Sequence, residues 1–573
     1  MILLPFAGLA RAETPAEGTA SEIPTAEIPA AAPQESLLTG VHGTEDLRVR
    51  YYHVPEKLTN FEDRDILDYV EAVNRLDLSG SAGNFTVNTR LDAVGLFANR
   101  YILDGKLHHE RDLLSPELES PFPDAYFALE KVGLEWRTPA LVVNGGDTYV
   151  SFGRGIALNL VKNTDIDVDT SVRGAQGVVH AGNWDVTVVT GVTNPQQVAL
   201  ENPNIEIDRN VSHAVTGARV DGYALGPVNL GVQGVLYQFA RESDPVGNGW
   251  GAYGQPLDAE VAGASVEALG VKGLDLFAEG DWFHYTAPDI PVTDGYSVYG
   301  SAAAYPGRAS VLVEARRSYN AEYVNTFISG YELASGPSLE YERVITEDSS
   351  AAVNSNDITG GRVRVDLRYG NPERNITTVP YVSLAAFRDT DTEGLHFNET
   401  PETIVHPIAG LQYMKGEFHA IVNAGQRVDL RDPTADGTSL GADMMSHADV
   451  DLAFPLGANL SLEVTSAFAR FHWGVNPQQQ NDYTDLSNAL ALKVGHPWAF
   501  ILYSDYSDNP LIFSTGNLSE SLYGAAEVQW MPRSDTTVKA FYGAYRAGIR
   551  CAGGQCRSLP GFEGAKISVT TTF

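Results

Sequence analysis

Residues 565–573, AKISVTTTF, sort by parity, with Ile567, Val569, Thr571 and Phe573 on one side and Lys566, Ser568, Thr570 and Thr572 on the other. A period of two with one apolar and one polar face describes a strand whose faces meet different surroundings. The pattern recurs upstream. In SLYGAAEVQW, Leu522, Ala526, Val528 and Trp530 oppose Tyr523, Glu527 and Gln529; in HADVDLAF, Ala448, Val450 and Leu452 oppose His447, Asp449 and Asp451. The connections alternate as well. PLGA (455–458), GHP (495–497) and MPRSD (531–535) are tight turns, whereas 471–485, 507–519 and 550–564 are long, polar and rich in Gly and Pro.

Two-faced strands joined by short turns at one end and long loops at the other predict an all-β fold, a transmembrane antiparallel β-barrel of the outer-membrane type. A soluble sandwich has no reason to sort its loops by length. The chain of 573 residues has no run of eighteen apolar residues after its N-terminus, which excludes spanning helices. Segments with strand character run from 84–100 to 565–573 and include 323–333 and 338–344; they number about 24, within a range of about 20 to 26, and 45–54 and 75–82 would add two. Outward Trp530 and Tyr506 near strand ends fit an aromatic girdle.

The N-terminus predicts export. MILLPFAGLARA (1–12) is a short apolar run closing on a small-x-small site, with cleavage expected before Glu13. Residues 13–36, rich in Pro, Ala and Glu, read as a disordered periplasmic tether. Residues 37–74 are expected to form a small plug or periplasmic cap, with the barrel spanning 75–573; FEDRDILDYVEAVNRL has partial helical spacing, so helix and strand both stay open there. Cys551 and Cys556 in CAGGQC are expected to form a small disulfide clamp, worth roughly 2 kcal/mol for so short a loop.

The terminal strand resembles the β-signal of bacterial outer-membrane barrels. That resemblance implies that Ile567, Val569, Thr571 and Phe573 are recognised by the barrel assembly machinery of a Gram-negative cell, with outer-membrane lipid and lipopolysaccharide as surroundings.

In GRVRVDLRY the outward set is Val363, Val365, Leu367 and Tyr369, which turns Arg362, Arg364, Asp366 and Arg368 into the lumen. Asp275, Glu279 and Asp281 share the inward face of LDLFAEGDWF, Glu314 and Arg316 that of SVLVEAR, and Arg90 and Asp92 that of NFTVNTRLDAV. Opposed basic and acidic walls resemble the constriction of diffusion porins; a salt-bridged lumen that braces a wide barrel is the other reading of the same residues. Asp165, Asp167 and Asp169 in DIDVDT point one way on an extended chain and would suit Ca²⁺, although the glycine and glutamate of an EF-hand loop are missing, and a solvated face explains them too. The Gly-rich stretch 144–160, NGGDTYVSFGRGIALNL, reads as a kinked strand or an inward-folded loop and resembles a Gly-Asp…Phe-Gly-Arg-Gly segment of porin-like families.

No nucleophile elbow, zincin motif or Cys/His cluster occurs, and no enzymatic activity or cofactor is expected beyond Ca²⁺ at acidic loops. A net charge of −34 excludes nucleic acid as a partner. The expected function is a channel, porin-like, for small hydrophilic solutes or ions. The alternative is a receptor-like binding barrel or an assembly-complex barrel whose lumen is closed by loops or plugged.

Overall fold

A computed structural model describes residues 40–53, 65–103, 106–109, 125–164, 166–196, 213–239, 257–287, 290–321, 325–326, 331–332, 336–339, 357–371, 374–389, 402–431, 442–473, 481–508, 522–546, 548–552, 555–559 and 561–573. The wall is one closed antiparallel sheet of 24 strands. The first quarter comprises β1 (Val41–His53), β2 (Asp65–Ala82), β3 (Phe85–Leu103), β4 (Ala125–Arg137), β5 (Leu141–Thr148) and β6 (Val168–Ala181). There follow β7 (Trp184–Pro195), β8 (Ala214–Leu225), β9 (Val228–Phe239), β10 (Leu257–Val271), β11 (Leu274–Ala287) and β12 (Ile290–Ala304). Next come β13 (Ala309–Tyr319), β14 (Ile358–Leu367, resuming as Tyr369–Asn371), β15 (Ile376–Asp389), β16 (Glu402–Lys415), β17 (Phe418–Arg431) and β18 (Ala442–Gly457). The circuit ends with β19 (Leu460–Trp473), β20 (Asn481–Val494), β21 (Trp498–Ser507), β22 (Leu522–Arg533), β23 (Thr536–Tyr545) and β24 (Phe562–Thr572).

Each strand pairs with its neighbours in sequence, and β24 pairs back onto β1 from Thr44↔Thr572 to Tyr52↔Gly564. Gly43 and Phe573 exchange both backbone bonds, at 2.7 and 2.8 Å, and the Phe573 ring lies over Gly43, where a Cβ would stand 2.5 Å from its Cζ. Closure removes the free edges that hydrocarbon could not satisfy.

The expected alternation holds around the circuit. Leu47, Val49 and Tyr51 are exposed while Arg48 and Arg50 between them are buried; Val363 is exposed beside inward Arg362 and Arg364. Outward aromatics cluster at both ends of the strands. Phe85 stacks on Trp136 and Trp498 on Trp530 at the turn end, and Trp282, Tyr319 and Tyr542 are exposed toward the loops. Amphipathic rings belong at such boundaries.

Two expectations need correction. Residues 41–53 and 65–74 are wall strands, not a plug, and FEDRDILDYVEAVNRL becomes β2 from Asp65 onward. In 323–333 the described Asn325–Thr326 and Tyr331–Glu332 form a small hairpin separate from the wall; in 338–344, 338–339 are irregular and 340–344 lie outside the described residues. The expected leader and tether (1–36) also lie outside the described residues. Cys551 and Cys556 stand opposite each other on the hairpin Gly548–Ala552/Gln555–Leu559.

Candidate functional site: an inward loop and a charged lumen

β5 is short because the chain bends out of the wall. Gly146 takes φ +96° against Val132, where any Cβ would strike the Val132 carbonyl oxygen. The β4–β5 ladder ends at Gly133↔Gly146, and beyond Thr148 the chain runs inside the barrel until β6 begins. The departure would leave open backbone groups, which cost several kcal/mol each in lipid. Side chains fill the seam instead. The Val132 N–H donates to Asp147 Oδ2 (2.8 Å), and the Glu130 carbonyl accepts from Arg173 (2.7 Å) and Asn194 (2.9 Å). Lys131 Nζ donates to the Asn194 and Asp169 carbonyls at 2.9 and 3.1 Å.

Inside, Val150–Phe152 pairs with Leu158–Leu160 as a miniature hairpin whose tip is Gly153-Arg154-Gly155. The inward-folded reading of 144–160 is therefore the correct one. Phe152, Ile156, Leu158 and Leu160 are almost wholly buried, in one apolar cluster with inward Val215, Val235, Tyr237, Val261 and Phe283. Burial of each such side chain contributes about 1.5–3 kcal/mol, so the hairpin is held against the wall.

The tip docks on β8–β11. Gly153, at φ +57°, lies directly on the Glu279 carboxylate, leaving no room for a Cβ. The Arg154 N–H donates to Glu279 Oε2 (2.6 Å), its guanidinium sits 4.5 Å from the Phe277 ring centroid, and it approaches Glu267 at 3.8 Å. The Tyr237 hydroxyl donates to the Ala157 carbonyl (2.6 Å), and the Phe152 ring covers Gly217. A Gly153→Ala change adds left-handed strain and pushes on Glu279. It is expected to weaken tip docking by about 1–3 kcal/mol, read as faster proteolysis within 149–167 while the barrel stays intact.

The base of the loop is ionic. Asp169 meets Arg90 at 2.7 Å and Lys131 at 2.8 Å and accepts the Tyr149 hydroxyl at 2.6 Å. Arg75 bridges Asp92 (3.2 Å) and Asp167 (3.5 Å), and Arg90 also reaches Asp77 (2.8 Å). Four cations, Arg75, Arg90, Lys131 and Lys162 (3.9 Å from Asp169), thus surround Asp167 and Asp169, the carboxylates read as a Ca²⁺ site or a solvated face. Asp165 lies outside the described residues, and among the described residues no group of three metal-ligating side chains occurs.

The remaining inward residues sit in one arc. Arg362 on β14 pairs with Glu314 on adjacent β13 (2.5 Å). Arg364 pairs with Asp366 (2.8 Å) and lies 4.2 Å from the Tyr381 ring centroid. Arg316 donates to Ser318 (3.0 Å), and Gln233 donates to both Glu279 (2.9 Å) and Asp281 (2.6 Å). Glu314 and Asp366 are thus paired with the arginines of β14, while the β11 acids are held by Gln233 and the Arg154 N–H on nearby strands; parity fixes a face but not a position around the circuit. Arg368 falls at the break in β14 and is exposed, and Asp275 accepts from the Gly270 N–H (2.7 Å) at a turn, so neither extends the lumenal row. Sequence reasoning missed the buried Arg50–Glu71 pair (3.1 Å through Nε) and Lys131. The alternation of Arg48 and Arg50 with Leu47, Val49 and Tyr51 was a usable signal for the first. Lys131 is masked by a bulge opposite Arg90/Leu91 that breaks the parity of β4.

A closed sheet, apolar outside and charged within, with aromatic girdles at both rims, defines an integral β-barrel of the bacterial outer-membrane type. No protein-family model matches the chain, and no curated protein matches it. Among solved structures it is similar to the siderophore receptor PirA from Pseudomonas aeruginosa, at 10% identity over 93% of this chain and 80% of that one with a TM-score of 0.42. It is also similar to the copper transporter OprC (10%, 94% and 80%, TM-score 0.44) and to the P pilus usher PapC translocation pore (11%, 93% and 99%, TM-score 0.38). Likeness at this level assigns no cargo to the chain.

Proposed function

We propose that the barrel is a channel that conducts small hydrophilic solutes past the inward loop, with a preference for cations. What carries this is where the loop lies. Its ion pairs reach β2–β4, and the apolar cluster that holds it draws on β6–β12 and β14–β16, which leaves the opposite arc facing the lumen. That arc, β18–β22, turns Asp449, Asp451, Glu463, Asp485, Asp505 and Glu527 inward. Lys493 pairs with Glu463 (2.5 Å) and Arg546 with Asp485 (2.7 Å) within this acid-rich arc. Lumenal charge sets ion preference.

In planar bilayers under a KCl gradient, the reversal potential is expected to correspond to a potassium preference of about threefold or more. A steady open current selective for chloride would overturn the cation preference. The apolar cluster around the loop favours the second reading, a binding barrel with a closed lumen; silence in the same recording would select it.

A further inference from the structure

Arg317 on β13, Thr359 on β14, Arg388 on β15 and Thr403 on β16 are direct cross-strand partners in one continuous row. The row faces outward. Val313, Val363 and Leu384, which share its parity, are exposed, whereas Arg316, Ile358, Phe387 and Ile404 on the opposite parity are buried toward the lumen.

The row lies short of the rim. Tyr319, paired with Tyr296, stands two residues further toward the loops, and the Arg317 guanidinium sits 5.5 Å from the Tyr296 ring centroid. Arg388 Nη1 donates to Thr403 Oγ1 (3.1 Å). Both guanidiniums are therefore at the level of lipid headgroups, beneath the aromatic girdle. Asp294, an acid nearer the loops, is engaged by His284 at 2.7 Å.

Strands two apart are separated by about 10 Å, a span that one phosphate-bearing headgroup can bridge. Toward the middle of the membrane the next row is Ala315, Gly361, Ala386 and Val405, followed by Val313, Val363, Leu384 and Pro407. Small residues under two arginines make a shallow apolar trough that would seat an acyl chain.

We propose that this row binds a phosphorylated lipid of the outer leaflet, with Arg317, Arg388 and the Thr359 hydroxyl on the phosphate and the chains in the trough. A guanidinium takes phosphate through two parallel bonds. The site stands independently of channel activity.

The test measures binding of diphosphorylated lipid A and of its dephosphorylated form to the purified full-length barrel in detergent. The phosphorylated form is expected to bind about tenfold more tightly, an advantage lost in R317Q/R388Q and kept in R470Q, a distant outward arginine. Millimolar inorganic phosphate is expected not to displace the lipid. Equal binding of both lipids, an undiminished double variant, an equal loss in R470Q, or displacement by free phosphate would each overturn the proposal. Retention of the compact, heat-sensitive form on a gel confirms folding. If the double variant does not fold, R317Q alone is expected to lose about threefold, and no loss there would count against the site equally.

Discussion

Replacing residues 150–160 with a short Gly/Ser linker is expected to raise single-channel conductance roughly twofold or more and to weaken the cation preference. The hairpin carries Phe152, Ile156, Leu158 and Leu160 into the lumen and takes up cross-section there. The wall should survive, because the ladders that close it, including β24 on β1, make no use of the loop. Unchanged conductance would mean that the loop does not narrow the path, and the proposed channel would lose its main structural support.

Asp169→Ala is expected to cost about 3–5 kcal/mol, the scale for leaving a buried charge uncompensated. Arg90 and Lys131 both lose their shared carboxylate, and the Tyr149 hydroxyl loses its acceptor. Arg90 keeps Asp77, so the uncompensated charge falls mainly on Lys131. Adding Lys131→Met should therefore recover a substantial part of the loss, read from the urea midpoint of the folded form in lipid vesicles. A variant as stable as the parent protein would show that the cluster at the base of the loop does not hold it.

Local regularities were legible in the sequence, and long-range ones were not. Parity alone places Arg362, Arg364 and Asp366 inside and Val363 outside, because hydrocarbon tolerates one face only. The expected strand number agrees with the wall, but the described parts of 323–333 and 338–344 are outside it, whereas β1 and β2, foreseen only as the possible additions 45–54 and 75–82, belong to it. β2 was obscured because its inner face mixes Tyr69 and Val73 with Glu71 and Arg75. A lumen lined partly by apolar residues weakens the alternation on which the reading depends. The segment 144–160 stood out for its glycines, yet nothing local could announce that Gly153 would rest on Glu279 or that Asp169 would find Arg90 and Lys131. Those partners lie on other strands, and only the closed circuit brings them together.

The seam where β5 leaves the wall gives the circumference a point of unequal dependence on residue identity. Across an ordinary ladder the peptide groups do the joining, and a change of side chain leaves the join intact. Between β4 and β6 the join passes through Asp147, Asn194, Lys131 and Arg173. There the perimeter is written in side chains, so an ordinary point substitution can open it to the surrounding lipid.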